Sequence, residues 1–111
     1  MDRQEFQRRA DECLEAVASW LEAFDPDEVD FAPTDGVVTL EFADGARYVL
    51  NRQTAAEQMW FAAGARAWHY GWDAETSTWR DDRDGHELFE RVGTAVSDKL
   101  GRPVEGPRAR A

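Results

Sequence analysis

The period of the apolar residues changes once along this chain, and that change limits its fold more than anything else. Phe6, Ala10, Cys13, Leu14, Val17, Leu21 and Phe24 recur at three- and four-residue steps. Such spacing makes one apolar stripe on a helix running from about Asp2 to Phe24, where Pro26 stops it. From Val37 the period is two. Val37–Phe42 and Arg47–Asn51 flank Ala43-Asp44-Gly45, which reads as a β-hairpin. A two-residue turn would set Phe42 opposite Arg47. A three-residue loop with a left-handed Gly45 pairs Glu41 with Arg47, Leu40 with Tyr48 and Val38 with Leu50. The second register sorts apolar from polar side chains cleanly, and we prefer it. Further strands are expected at Glu57–Ala62, Ala67–Trp72 and Thr78–Arg80. A second helix is expected over Gly85–Leu100, with Asp84 as N-cap, Glu87 as capping-box partner and Leu88, Val92, Val96 and Leu100 as its stripe.

One-sided helices around a run of antiparallel strands make an α+β fold. The expected architecture is a two-layer αβ-sandwich, with two helices packed on one face of an antiparallel sheet and the other face in water. At 111 residues the chain is one domain, expected over residues 1–101. The Gly/Pro/Arg-rich tail 102–111 is expected to be disordered.

The expected sheet faces follow from alternation. Val38, Leu40, Phe42, Tyr48, Leu50, Met59 and Phe61 point inward. Thr39, Glu41, Arg47, Val49, Asn51, Gln53, Gln58 and Trp60 point outward, with His69 beside Trp60. A tryptophan on a polar, solvated face is a candidate partner contact.

Charge is concentrated in one third of the sequence. Between Arg9 and Arg47 there are eleven acids and no lysine or arginine, in a chain whose net charge is −10. A field of that sign repels nucleic acid and attracts cations or basic protein surfaces. Asp11, Glu15 and Glu22 fall within about 40° of one another, away from the apolar stripe. Asp25, Asp27, Glu28 and Asp30 crowd the segment after the helix. Carboxylates are hard ligands for Fe2+, Fe3+, Mn2+, Ca2+ or Mg2+. Spread along a helix surface, they share hydrated ions weakly and with little selectivity. Acidic helix faces are commonly just solvated faces.

Other features exclude functions. Cys13 is the only cysteine, so no intrachain disulfide forms and no Fe–S cluster is carried on the chain's own thiolates. A reducing compartment fits, and with no apolar leader or spanning segment the expected location is the cytoplasm. His86 has no metal-spaced partner. Neither a Ser/His/Asp set, a Cys/His pair nor a phosphate-cradling loop occurs, so no enzyme chemistry is expected.

Leu40-Glu41-Phe42-Ala43-Asp44-Gly45, Val49-Leu50-Asn51-Arg52-Gln53, Gln58-Met59-Trp60 and Trp68-His69-Tyr70, continued by Trp79-Arg80-Asp81 and Gly85, resemble the frataxin/CyaY family over nearly all of residues 4–100. The resemblance implies an αβ-sandwich that binds iron weakly through carboxylates and regulates or supplies iron–sulfur cluster assembly. It implies contact with the cysteine desulfurase of that machinery, with its scaffold protein as a further candidate partner and a monomeric state. By position, Glu22, Asp25, Asp27 and Asp30 match the family's iron-binding acids. Glu28 matches across a one-residue length difference. Ala18, Ser19 and Ala23 stand where acids are usual in bacterial members, which implies fewer or weaker sites, partly compensated by Asp11 and Glu15. The family places the residues matching Asn51, Gln53 and Trp60 on its partner surface. The rival expectation is an iron-storage or ferroxidase protein, which wants inward Glu and Glu-x-x-His ligands. The sequence contains no such motif.

Overall fold

A computed structural model describes residues 1–109 of the chain. The first helix, α1 (Arg3–Leu21), begins where the Asp2 carboxylate accepts the Glu5 N–H at 2.7 Å. It ends three residues earlier than the apolar spacing predicts. The bonds Ala23 N–H to Trp20 O and Phe24 N–H to Leu21 O tighten the exit into a turn, and Asp25 then accepts the Asp27 N–H at 2.9 Å.

Six strands follow: β1 (Val29–Thr34), β2 (Val37–Phe42), β3 (Arg47–Gln53), β4 (Gln58–Ala63), β5 (Arg66–Asp73) and β6 (Thr78–Asp81). All pair antiparallel in sequence order, so β1 and β6 are the edges of a simple meander. The β2–β3 register is the one expected from a three-residue loop, pairing Glu41 with Arg47, Leu40 with Tyr48 and Val38 with Leu50. Gly45 holds φ +89° in that turn, a conformation open to glycine without strain. Apolar alternation does not reveal β1, because it carries Asp30 and Pro33. An edge strand tolerates both, since one of its sides has no ladder to complete.

The second helix, α2 (Leu88–Leu100), starts later than expected, and its cap is Glu87 rather than Asp84. The Glu87 carboxylate accepts the Phe89 and Glu90 N–H groups at 2.7 and 3.1 Å. Residues 81–87 are instead wound back on β6, with Asp81 N–H donating to His86 O and an added bridge between Arg80 and Glu87. Both helices cover one sheet face. Phe6, Ala10, Cys13, Val17 and Leu21 from α1 and Leu88, Val92 and Val96 from α2 meet Val38, Leu40, Leu50, Met59, Phe61, Tyr70 and Trp79. The inward and outward assignments made from alternation agree with this core.

Residues 104–107 of the tail pack against the helices. Ser97 Oγ exchanges hydrogen bonds with Val104 N and O, Trp20 Nε1 donates to Glu105 O at 2.8 Å, and Pro107 is buried. Gly93 and Gly106 make this approach feasible. A Cβ on Gly93 would lie 2.7 Å from the Gly106 Cα, so only two bare backbones fit there. Residues 110 and 111 lie outside the described residues.

Gly93→Ala therefore wedges the tail off α2. Urea unfolding should show a loss of about 1–3 kcal/mol, with faster hydrogen exchange at the Val104 amide; unchanged protection there would contradict the packing.

A second check concerns Asp44 and Lys99, which join the β2–β3 turn to the end of α2. The Lys99 ammonium, and after it the Ala46 N–H, holds the Asp44 carboxyl below its usual range, and Asp44 holds Lys99 above its own. The acid's contribution is present above its unfolded pKa of about 3.9 and is lost as pH falls through its lower folded value. The amine's contribution is present below about 10.4 and is lost as pH rises through its raised folded value. Asp44→Asn should lower the Tm at neutral pH, with the difference from wild type closing in strong acid.

Candidate functional site

The acids singled out in the sequence divide into two groups once their partners are known. Asp11 is anchored. Its Oδ1 accepts from Arg52 Nη1 at 2.6 Å and its Oδ2 from Gln7 Nε2 at 3.4 Å. Arg52 has only 13% of its side chain exposed, reaches Asp35 at 3.5 Å, and lies against Gly36, where a Cβ would stand 3.0 Å from its guanidinium. The arginine of the Asn-Arg-Gln run thus fastens α1 and the β1–β2 turn to β3. Asp11 belongs to that fastening and not to an open ridge. Glu28 is likewise engaged, in an ion pair with Arg102 of the returning tail. Glu15 is exposed one turn along from Asp11.

Glu22, Asp25, Asp27 and Asp30 remain exposed and form no ion pair among the described residues. Asp25 accepts the Asp27 N–H, and Asp30 accepts its neighbour's Phe31 N–H at 2.9 Å, so both carboxylates keep acceptor capacity for a cation. Their position adds to the negative potential. Glu22 is the C-cap of α1, and the last turn of that helix carries no basic residue. Unsatisfied carbonyls at a helix C-terminus already amount to a partial negative charge. The corner between α1 and β1 is therefore attractive to cations by both side chain and backbone. All its ligands are oxygens.

The outer sheet face meets this corner. On β1, Asp30 lies opposite Glu41, which lies opposite Arg47. Four residues along the sheet, Val37, Asn51, Trp60 and His69 form one cross-strand row, with Gln53 opposite Gln58 beside it. Trp60 is half-buried, less open than alternation alone suggested. Its ring stacks on His69 with centroids 4.3 Å apart and planes at 20°, and its Nε1 donates to Gln58 Oε1 at 2.9 Å. Asn51 donates to the Arg52 carbonyl at 3.3 Å. The result is a flat, fixed platform of amides and stacked rings. The stack and the inward lock on Arg52 are the two features that sequence reasoning missed. His69 was placed on the correct face, but nothing in spacing alone announces ring stacking.

Among the described residues no helix is long and apolar enough to cross a membrane. Residues 1–102 match the frataxin-like domain. The chain is 38% identical over 105 residues to the iron–sulfur cluster assembly protein CyaY of Dechloromonas aromatica, covering 94% of this chain and 97% of that protein. It is 36% identical over 100 residues to the CyaY of Thioalkalivibrio sulfidiphilus, covering 89% and 94%. Among solved structures, frataxin from Psychromonas ingrahamii superposes with a TM-score of 0.83 at 27% identity, covering 95% of this chain and 97% of that one. A trimeric frataxin from the yeast Saccharomyces cerevisiae, complexed with ferrous iron, superposes with a TM-score of 0.64 at 28% identity, covering 80% and 86%. The meander with both helices on one face, the Asn-Arg-Gln/Trp platform and these likenesses agree, and the chain belongs to the frataxin/CyaY family, a non-enzymatic family of iron–sulfur assembly proteins.

Proposed function

We propose that this chain is an iron-binding regulator and iron donor in iron–sulfur cluster assembly, and that it acts on the cysteine desulfurase. The observation that carries this reading is the α1–β1 corner, where Glu22, Asp25, Asp27 and Asp30 have no cation paired with them among the described residues while Asp11 and Glu28 do. Exposed oxygens in that arrangement hold hydrated Fe2+ or Fe3+ weakly and select poorly against other divalent cations. Weak binding suits a sensor or donor, because the ion must leave again. The same charge attracts a basic patch on the desulfurase, and bound iron neutralises part of that attraction. Iron and partner are thereby coupled. The Asn51, Gln53 and Trp60 platform supplies the uncharged part of the contact, with Asp30 and Glu41 leading from one to the other across the outer face. An iron-storing or ferroxidase role has less support, since the inward faces of both helices are apolar.

Neutralising Glu22, Asp25, Asp27 and Asp30 together should lower desulfurase association at low salt roughly tenfold and weaken Fe2+ uptake, both readable by calorimetry. Unchanged values for both would refute the corner's role. Asp11→Asn should do the reverse, costing on the order of 1 kcal/mol of stability while leaving Fe2+ binding in place. Trp60→Ala should weaken desulfurase binding by more than about 1 kcal/mol and spare iron; an unaltered Kd would remove the platform from the interface.

A further inference from the structure

We propose that the connection between β6 and α2 is a second cation site, built by Asp81, Asp84 and His86 for a single divalent first-row transition ion. It goes beyond the function argued above, uses none of its residues and lies at the β6 edge, across the sheet from the β1 corner. One oxygen from each carboxylate and one ring nitrogen of His86 lie within 4.8 Å of one another. The backbone brings them together. Asp81 N–H donates to His86 O at 2.9 Å and Gly85 N–H to Asp81 O at 3.1 Å, with Gly85 at φ +77° closing the loop.

Asp81 is the observation that asks for an ion. It is only 6% exposed, a charged side chain sealed under the loop. Its Oδ2 accepts the Arg83 and Asp84 N–H groups at 2.9 and 3.0 Å and faces His86 Nδ1 at 4.0 Å. Its Oδ1 is buried and has no hydrogen-bond partner among the described residues. No lysine or arginine pairs with this carboxylate among them either. A buried anion with an orphaned oxygen is costly unless a cation or donor completes it.

His86 is held as a ligand would be. Its Nε2 is 2.7 Å from Tyr70 Oη, and its Nδ1 is 2.6 Å from Asp84 Oδ1. Histidines that bind metal through one nitrogen commonly anchor the other on a polar partner, which fixes ring and tautomer. Tyr70 is that partner. Burial, and next the Asp81 charge, keeps its hydroxyl neutral. With a cation on Nδ1, the ring carries its proton on Nε2 and donates it to Tyr70 Oη; without one, Nδ1–H can donate to Asp84. Ligand atoms about 2.1 Å from a metal and 90° apart are separated by about 3 Å. Asp84 must open by a few tenths of an ångström, and its exposed side chain is at liberty to do so. Arg91 acts on Asp84 and Tyr70 from α2 but forms an ion pair with neither among the described residues, so the cluster stays net negative.

A donor set with one imidazole and two carboxylates suits Fe2+, Co2+, Ni2+ or Zn2+ better than Ca2+ or Mg2+. The all-oxygen corner at α1–β1 makes no such distinction. The full chain titrated with Co2+ and Zn2+ alone should show one saturable site that survives neutralisation of Glu22, Asp25, Asp27 and Asp30. That affinity should fall at least about tenfold in His86→Ala and in Asp84→Asn, and Co2+ should shift the His86 ring signals in NMR. Asp84→Asn alters an exposed side chain and keeps the variant folded should His86→Ala not be. Wild-type affinity in Asp84→Asn, or loss of the site on neutralising the corner, would overturn the proposal.

Discussion

The packing of two apolar helix stripes on one face of a six-stranded meander decides where every other group in this protein can go. Phe6, Val17 and Leu21 from one helix and Leu88, Val92 and Val96 from the other are buried against Leu40, Leu50, Phe61 and Tyr70. Among the described residues nothing comparable covers the opposite face. Side chains alternate across a strand, so each inward residue fixes its neighbours outward, and Asn51, Trp60 and His69 are brought into one row as a consequence of burying Leu50, Phe61 and Tyr70. The flat platform is thus the reverse side of the core, and it is as rigid as the core is.

Much of this was legible because periodicity reports burial directly. The stripe on α1, the β2–β3 register and the inward and outward sets on β2, β3 and β4 all follow from residue spacing. What spacing left out has physical reasons. The strand β1 hides because Pro33 and Asp30 break its pattern at an edge that does not need one. The start of α2 was misplaced because Asp84 is a good cap residue by type, yet Gly85 turns the chain back along β6 and hands the role to Glu87. The packing of the tail on α2 left no trace in spacing because it depends on two absent side chains, at Gly93 and Gly106, and hydropathy does not register an absence.

The candidate site was legible in composition but not in its partition. Eleven acids between Arg9 and Arg47, with no lysine or arginine among them, suggest one continuous ridge. Folding brings cations from elsewhere: Arg52 from β3 to Asp11, Arg102 from the tail to Glu28, Lys99 from α2 to Asp44. Long-range pairing therefore takes Asp11, Glu28 and Asp44 out of the supposed ridge and leaves Glu22, Asp25, Asp27 and Asp30, at the exit of α1 and the start of β1. The cluster at Asp81, Asp84 and His86 escaped for the opposite reason. Its spacing matches no familiar metal motif, and only the loop's return to β6 draws the three groups together.

The central claim is that the charge left unneutralised by folding is the charge that binds iron and meets the partner. NMR of the isotope-labelled chain, titrated first with Fe2+ and separately with the cysteine desulfurase, tests it most directly. The account predicts that iron broadens the amides of Glu22 through Asp30, and that the desulfurase perturbs those same amides together with Asn51, Gln53 and the Trp60 indole. An iron footprint that leaves Glu22 through Asp30 untouched, or a desulfurase footprint confined to the helix-covered side, would contradict it.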